Sequence, residues 1–292
     1  MKSLKYYLQK AYKEHWAIGQ FNFSDWSQVR GIVKAAQILK APIILGTSEG
    51  ESKFVGLSEA VALRNVLRKQ TGLPIFLNLD HGKSFEYLKE AIAAGYDMIH
   101  FDGSKIPLDE NIKVSKKVAK FAHERGVVVE GEVGRIGTDA SRLYEGKFEV
   151  KDEDLTEPEE ALKYLYNTDV DVLAVSIGTF HGIDSTGTSP RLRLDRLKEI
   201  TQNPAAGKYG INIPLVLHGG SGTPLDDVKE AIHLGICKIN INTDTRIAFA
   251  KSLAAALATH EITPYKYLQE PINAVQMVVE EKIKLFGSEG KA

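Results

Sequence analysis

The chain has little that would tie it together covalently or hold it in a membrane. Its 292 residues include one cysteine, Cys237, so no intrachain disulfide can form and a disulfide-stapled scaffold is excluded. No stretch reaches the ~18 uninterrupted apolar residues of a spanning helix. An excess of one charge is also missing: 37 Lys and Arg stand against 38 Asp and Glu, a formal net charge of −1. That balance gives no global field for nucleic acid or an anionic membrane, and neither is expected as a partner. The first ten residues, Met1 to Lys10, are charged and lack the apolar centre of a signal peptide, so a cytoplasmic location is expected. Low-complexity linkers are absent as well. With 43% hydrophobic and 26% charged residues, the composition is that of a globular chain, not of a disordered or coiled-coil one.

What is present is a rhythm. Short runs rich in Ile, Val, Leu and Phe recur at Ala17–Phe23, Pro42–Gly46, Pro74–Leu79, Tyr96–Phe101, Val127–Val133, Val172–Gly178, Ile213–Leu217 and Ile236–Ile241. Runs apolar at nearly every position suit strands buried on both faces, as in parallel sheets. Between them, Ser27–Leu39, Ser58–Lys69 and Ser84–Ala94 carry apolar residues at helical spacing, with Ser84 as a cap. Gly95 and Gly126 then suit helix ends. Eight strand-then-helix units without a linker predict a single-domain (β/α)8 TIM barrel over residues 1–292. A doubly wound open sheet is the alternative, because periodicity does not show closure. The longest polar intervals, Arg135–Pro158 and His181–Arg193, follow strands 5 and 6, and Thr263–Ala292 reads as a C-terminal amphipathic helix with a polar end.

Polar residues cluster where the strands end. Asn22 follows the first run, Ser48 and Glu49 the second, Asp80 and His81 the third, Asp102 the fourth and Glu132 the fifth. His181 follows the sixth, His218 the seventh, and Asn240, Asn242, Thr243 and Asp244 close the eighth. A barrel brings all eight ends to one face, so this dispersed set would form one pocket. His81, His181 and His218 share a setting, each after an apolar strand and before a glycine. Three imidazoles on converging ends suit a divalent metal with open positions. One such histidine alone would read as a hydrogen-bonded rim residue. His15, His100, His123, His233 and His260 lack the setting and read as surface or packing residues.

Four stretches in fixed order give a resemblance: Leu79-Asp80-His81-Gly82, Gly178-Thr179-Phe180-His181-Gly182, Leu217-His218-Gly219-Gly220-Ser221-Gly222 and Lys238-Ile239-Asn240-Ile241-Asn242-Thr243-Asp244. With them the chain resembles, over essentially its whole length, the class II metal-dependent ketose-bisphosphate aldolases, which include fructose- and tagatose-1,6-bisphosphate aldolases. The resemblance implies that His81, His181 and His218 bind one catalytic zinc and that Asp80 is the acid/base at the aldehyde-derived hydroxyl. It matches Asp102 and Glu132 to a second or alternative metal position near His81, with a hydrogen-bonded rim as an equal reading. Asn240, Ile241, Asn242 and Thr243, with Gly182, Gly219, Gly220 and Ser221, match residues that hold the dihydroxyacetone phosphate half, and Ser48 joins them as a substrate-binding candidate. Splitting a carbon–carbon bond beside a ketone leaves an enediolate, and a metal on the substrate oxygens can stabilise its charge. The glycine run also lets backbone N–H groups approach a phosphate.

The chain departs from the family at the aldehyde half. The usual Gly-Gly-X-Glu-Asp loop reads Gly134-Arg-Ile-Gly137-Thr-Asp139-Ala-Ser141, where Asp139 or Glu145 would have to substitute for the glutamate. A lysine often found after His181-Gly182 is replaced by Ile183-Asp184-Ser185, and the usual Pro-Arg pair near the C-terminus by Pro264-Tyr265, leaving Lys266 or Arg191 as candidate cations. The resemblance therefore implies a zinc-dependent aldolase that cleaves a ketose 1,6-bisphosphate to dihydroxyacetone phosphate and glyceraldehyde 3-phosphate. Fructose bisphosphate is the first expectation, and tagatose bisphosphate or another ketose phosphate the second. The family's habit implies a homodimer or homotetramer. A metal-assisted hydrolase or epimerase on the same histidines, and a metal-binding paralogue without catalysis, are the other classes.

Overall fold

Each apolar run becomes a strand, and each strand lies parallel to the next. In a computed structural model of the protein, which describes residues 1–138, 141–187, 189–203 and 212–292, the strands are β1 (Ile18–Asn22), β2 (Ile43–Ser48), β3 (Ile75–Gly82), β4 (Met98–Phe101), β5 (Val128–Val133), β6 (Val172–Val175), β7 (Leu215–Leu217) and β8 (Ile236–Ile241). They close into a barrel in sequence order. Ile18 of β1 pairs with Lys238 of β8, and Phe21 with Ile241, so the open-sheet alternative is excluded. Among the described residues no helix is long and apolar enough to cross a membrane.

The helices are α1 (Leu4–Glu14), α2 (Trp26–Leu39), α3 (Glu49–Val55), α4 (Leu57–Thr71), α5 (Phe85–Ala94), α6 (Leu108–His123), α7 (Pro158–Asn167), α8 (Leu194–Thr201), α9 (Leu225–His233), α10 (Thr243–Leu257), α11 (Pro264–Tyr267) and α12 (Gln269–Leu285). Ser84 caps α5 as its sequence predicts, accepting from the backbone N–H of Tyr87, and Gly95 ends that helix at φ 107°. Gly126 lies further out, because α6 stops at His123. The tail forms two helices where the sequence suggests one, since Pro264 starts α11 and a second proline, Pro271, lies in the first turn of α12.

Alternating side chains divide the interior into two cores. One fills the space between strands and outer helices, with Phe21, Leu45, Leu77, Ile99, Val129, Leu173, Ile239 and Ile241 facing outward. The other closes the lower barrel, where Ile18, Ile44, Phe76, Met98, Val128, Val172 and Val216 meet Leu4, Tyr7, Leu8 and Ala11 of α1. Helix α1 thus plugs the end opposite the active face. Helix α12 packs on α2 at Gly31, where a Cβ would lie 2.6 Å from the carbonyl oxygen of Ile272.

The two long loops fall after β5 and β6, as the polar intervals predict. They pack on each other above the barrel through a bridge between Leu143 and Ile183 and a stack of Phe148 on Phe180, with centroids 4.4 Å apart. Strand β6 ends at Val175, short of the expected Gly178, because the β5 loop crosses it there. Thr156 Oγ1 takes the N–H of Ser176, whose hydroxyl donates to the Arg135 carbonyl at 2.7 Å.

Candidate active site

Above the apolar plug the barrel interior turns polar, and side chains two residues apart on one strand share its inner face. Gln20 and Asn22, Asn78 and Asp80, Glu130 and Glu132, and Lys238 and Asn240 are such pairs, all buried. Gly46 leaves room for the first pair, since a Cβ there would lie 2.3 Å from Asn22 Oδ1. Asn78 donates to Gln20 at 2.8 Å and Gln20 to Asn22 at 3.1 Å, which fixes the Asn22 amide with its NH2 upward. That NH2 donates to Asp80 Oδ2 at 3.0 Å, while Asn240 donates to Oδ1 at 3.0 Å. Burial alone would raise the Asp80 pKa, but His81 and its other partners hold it well below the usual carboxylate range. Asp80 is therefore a buried carboxylate aimed by two amides.

A regular strand would point His81 away from Asp80. Here β3 breaks register between Leu79 and Gly82, and His81 takes φ 52°. This left-handed conformation costs a non-glycine residue about 1–3 kcal/mol. It turns two consecutive side chains into one cavity. His81 Nε2 then lies 2.9 Å from His218 Nδ1. The far side of each ring is taken by a carboxylate, His81 Nδ1 by Asp102 at 3.0 Å and His218 Nε2 by Glu130 at 2.6 Å. His181 comes over from the β6 loop, its ring centroid 4.7 Å from that of His81 and 6.1 Å from that of His218. Burial, reinforced by the other two rings, pushes His181 well below the usual imidazole range, so it is neutral and able to ligate.

This donor set fits a divalent metal. Two imidazole nitrogens face each other across 2.9 Å with one hydrogen position between them, and a cation there would replace that proton and keep both carboxylate bonds. Carboxylates behind ligating imidazoles are the usual orienting arrangement. Asp102 and Glu132 lie on the other nitrogen of His81, Glu132 at 4.0 Å, so they do not share an ion with the Nε2 side. His81, Asp102 and Glu132 form a separate cluster with ligand atoms close together.

The cavity holds about 330 Å³ and is lined by Ser48, Asp80, His81, Asp102, Glu132, His181, Gly182, Gly219, Ser221, Asn240, Asn242 and Thr243 among the expected residues. His218 is fully buried beneath it. Two of the substrate-binding expectations, Ile241 and Gly220, are not among the residues lining the cavity. Ile241 alternates outward from Asn240 and Asn242 into the outer core, and Gly220 packs against Ile239 with its N–H on the Asn240 carbonyl. Gly219 has φ 63°, and a Cβ there would lie 2.3 Å from the Phe180 carbonyl oxygen, so only glycine fits.

The substitutes considered for the aldehyde half do not line the cavity. Tyr265 is 77% exposed, Lys266 pairs with Glu261, Arg191 pairs with Asp227, and Glu145 is exposed. Asp139 lies outside the described residues. The cations that do line the cavity are Lys83, Lys105 and Arg246. Histidine spacing also leaves out His100, which is no bystander. It accepts the His81 N–H at 3.1 Å and faces Glu132 at 3.1 Å. Its spacing of two from Asp102 was the available signal. Lys238 is fully buried, 2.8 Å from Glu130 and 2.7 Å from Asn240, and so braces both the His218 carboxylate and the Asp80 amide.

Comparison with known proteins bears on this arrangement. The family model "Fructose-bisphosphate aldolase class-II" matches residues 2–291. The chain belongs to the class II fructose-bisphosphate aldolase family. A sulfofructosephosphate aldolase of Alkalicoccus urumqiensis is 37% identical over 98% of this chain and 96% of its own length. A fructose-bisphosphate aldolase of Streptococcus pneumoniae is 35% identical over 99% of both chains. The crystal structure of the YdjI aldolase from Escherichia coli K12 superposes with a TM-score of 0.84 at 29% identity, covering 100% of both chains. Class II aldolases are lyases, generally metal-dependent, and act on sugar phosphates, and the histidine–carboxylate cluster fits that dependence.

Proposed function

We propose that the protein is a zinc-dependent aldolase that reversibly cleaves fructose 1,6-bisphosphate to dihydroxyacetone phosphate and glyceraldehyde 3-phosphate. The observation that carries the reading is the facing pair of His81 Nε2 and His218 Nδ1, 2.9 Å apart, beside an Asp80 aimed by two amides. His81, His181 and His218 would hold the zinc, which when bound supplies a Lewis acid for the substrate carbonyl and hydroxyl oxygens. Asp80 takes the proton of the aldehyde-derived hydroxyl as the carbon–carbon bond breaks, leaving the electron pair on the enediolate. Gly219, Ser221, Asn242 and Thr243 receive the phosphate of that half, using backbone N–H groups and hydroxyls in a glycine-rich turn. Asp102 and Glu132 orient His81 or serve an alternative metal position.

A different ketose phosphate is the second reading, because a relative of similar identity is named for sulfofructose phosphate. We also propose one barrel unit over residues 1–292 and a homodimer or homotetramer. Leu257, Ile262 and Tyr265 leave an exposed apolar strip around α10 that supports self-association. The decisive experiment is to incubate the purified protein with fructose 1,6-bisphosphate, with and without a chelator, and follow triose phosphate. Metal-dependent release supports the reading. Release that survives full chelation, or none from any ketose phosphate with zinc supplied, refutes it.

A further inference from the structure

The cation best placed for the outer end of a substrate is already bonded to a carboxylate of this chain. Arg246 lines the cavity from the first turn of α10 and is 39% exposed, whereas the histidine cluster lies deeper. On the aldolase reading, a ketose held by its carbonyl at the histidines would direct its outer end toward the rim of the cavity, where this guanidinium lies. Nη2 of Arg246 is bonded to Oε1 of Glu51, and Nη1 donates to the Ser141 carbonyl at 3.1 Å. Glu51 is 6% exposed and held on its other oxygen, where Oε2 accepts from the Ser48 N–H at 2.8 Å and from Asn22 Nδ2 at 3.1 Å. Its own N–H donates to Ser48 Oγ at 3.2 Å, completing a capping box at the start of α3. Three side-chain or backbone donors converge on one carboxylate, so Glu51 cannot move aside for a ligand without stranding them.

We infer that Glu51 is a specificity-determining residue that neutralises Arg246 and lowers the chain's selectivity for a distal phosphate over a singly charged or uncharged distal end. The inference rests on the aldolase reading above. A phosphate dianion approaching Arg246 also meets the Glu51 charge behind it, so the pair presents a dipole instead of a full cation. Lys83 and Lys105 also line the cavity, but as point charges without the planar fork that binds phosphate bidentately. The same carboxylate shares the Asn22 amide with Asp80.

The test compares kcat/KM for fructose 1,6-bisphosphate and fructose 1-phosphate in the wild type, Glu51→Gln, Arg246→Met and the double variant. Glutamine is isosteric, so its Oε1 keeps the Ser48 and Asn22 bonds while its NH2 group turns to Arg246 and releases it. The ratio of bisphosphate to monophosphate efficiency is expected to rise about tenfold in Glu51→Gln, as a freed charge-assisted contact implies. It should fall back to within about threefold of the wild type in the double variant, while Arg246→Met alone, which bares the Glu51 carboxylate, should lower it. A rise below about threefold in Glu51→Gln, or one that persists without Arg246, overturns the inference. So does a ratio in Arg246→Met unchanged from the wild type, which decides the matter even if Glu51→Gln fails to fold. If the wild type cleaves neither ketose, the aldolase reading falls and takes this one with it, a result distinct from an unchanged ratio.

Discussion

Asp80 shows how much of the chemistry depends on single side chains. Its two oxygens are held by amides from β1 and β8, 3.0 Å each, so its position is set by two strands that pair with each other and not with β3. Asp80→Ala should therefore lower turnover by roughly 10²–10⁴ while leaving the fold and metal content unchanged. Stopped-flow or steady-state kinetics on metal-analysed protein check this, and full activity would reduce Asp80 to an orienting role. The residue also shows a limit of reading a strand by its alternation. Asp80 and His81 are adjacent, so period two separates them, and only the bulge and the φ of 52° at His81 bring them together. Conversely, Ile241 sits between Asn240 and Asn242, which line the cavity, and alternation alone places it in the outer core.

At the level of elements, β5 and β8 are joined through the barrel by Lys238 and Glu130, both fully buried. Removing the lysine would leave an uncompensated carboxylate in the interior. Lys238→Met is expected to destabilise by about 3–5 kcal/mol, with part of the loss recovered when Glu130→Gln is added. Urea unfolding of the single and double variants measures both. A second joint lies below, where Asp171 accepts from Lys5 of α1 at 2.7 Å and from the Val129 N–H of β5 at 2.9 Å, with His123 of α6 2.8 Å away. Burial alone would raise the Asp171 pKa, but Lys5, Val129 and His123 together lower it. A depressed folded pKa stabilises fully above the unfolded value of about 3.9 and loses that contribution as pH falls through the folded value. Asp171→Asn should thus flatten the drop in stability below about pH 4, and urea midpoints at pH 7 and pH 3 test the sign. Neither joint is visible from the apolar runs. Lys238 and Glu130 lie at positions where a parallel strand is expected to be apolar, and only a polar interior layer makes sense of them.

For the whole molecule, the sequence reveals the order and number of strands because burial on both faces demands uninterrupted apolar runs. It does not show closure, which depends on β1 meeting β8, nor the Arg246–Glu51 pair, which needs the starts of α3 and α10, after β2 and β8, to meet. For the proposed assembly the structure offers the exposed Leu257, Ile262 and Tyr265. Light scattering at micromolar concentration should report more than one protomer's mass of 32.2 kDa. Leu257→Asp with Ile262→Asp should shift it to the monomer, and an unshifted mass would place the contact elsewhere.

The plug formed by α1 has a consequence in time. This helix precedes every strand and so leaves the ribosome before them, yet its seat is built from strands spread along the chain and includes contact with β8. Leu4, Tyr7, Leu8 and Ala11 must stay solvated, or transiently sheltered, until the last strand arrives. Docking of α1 is then a late event, and nearby Trp16, one of only two tryptophans and 2% exposed in the finished barrel, becomes a built-in clock for closure.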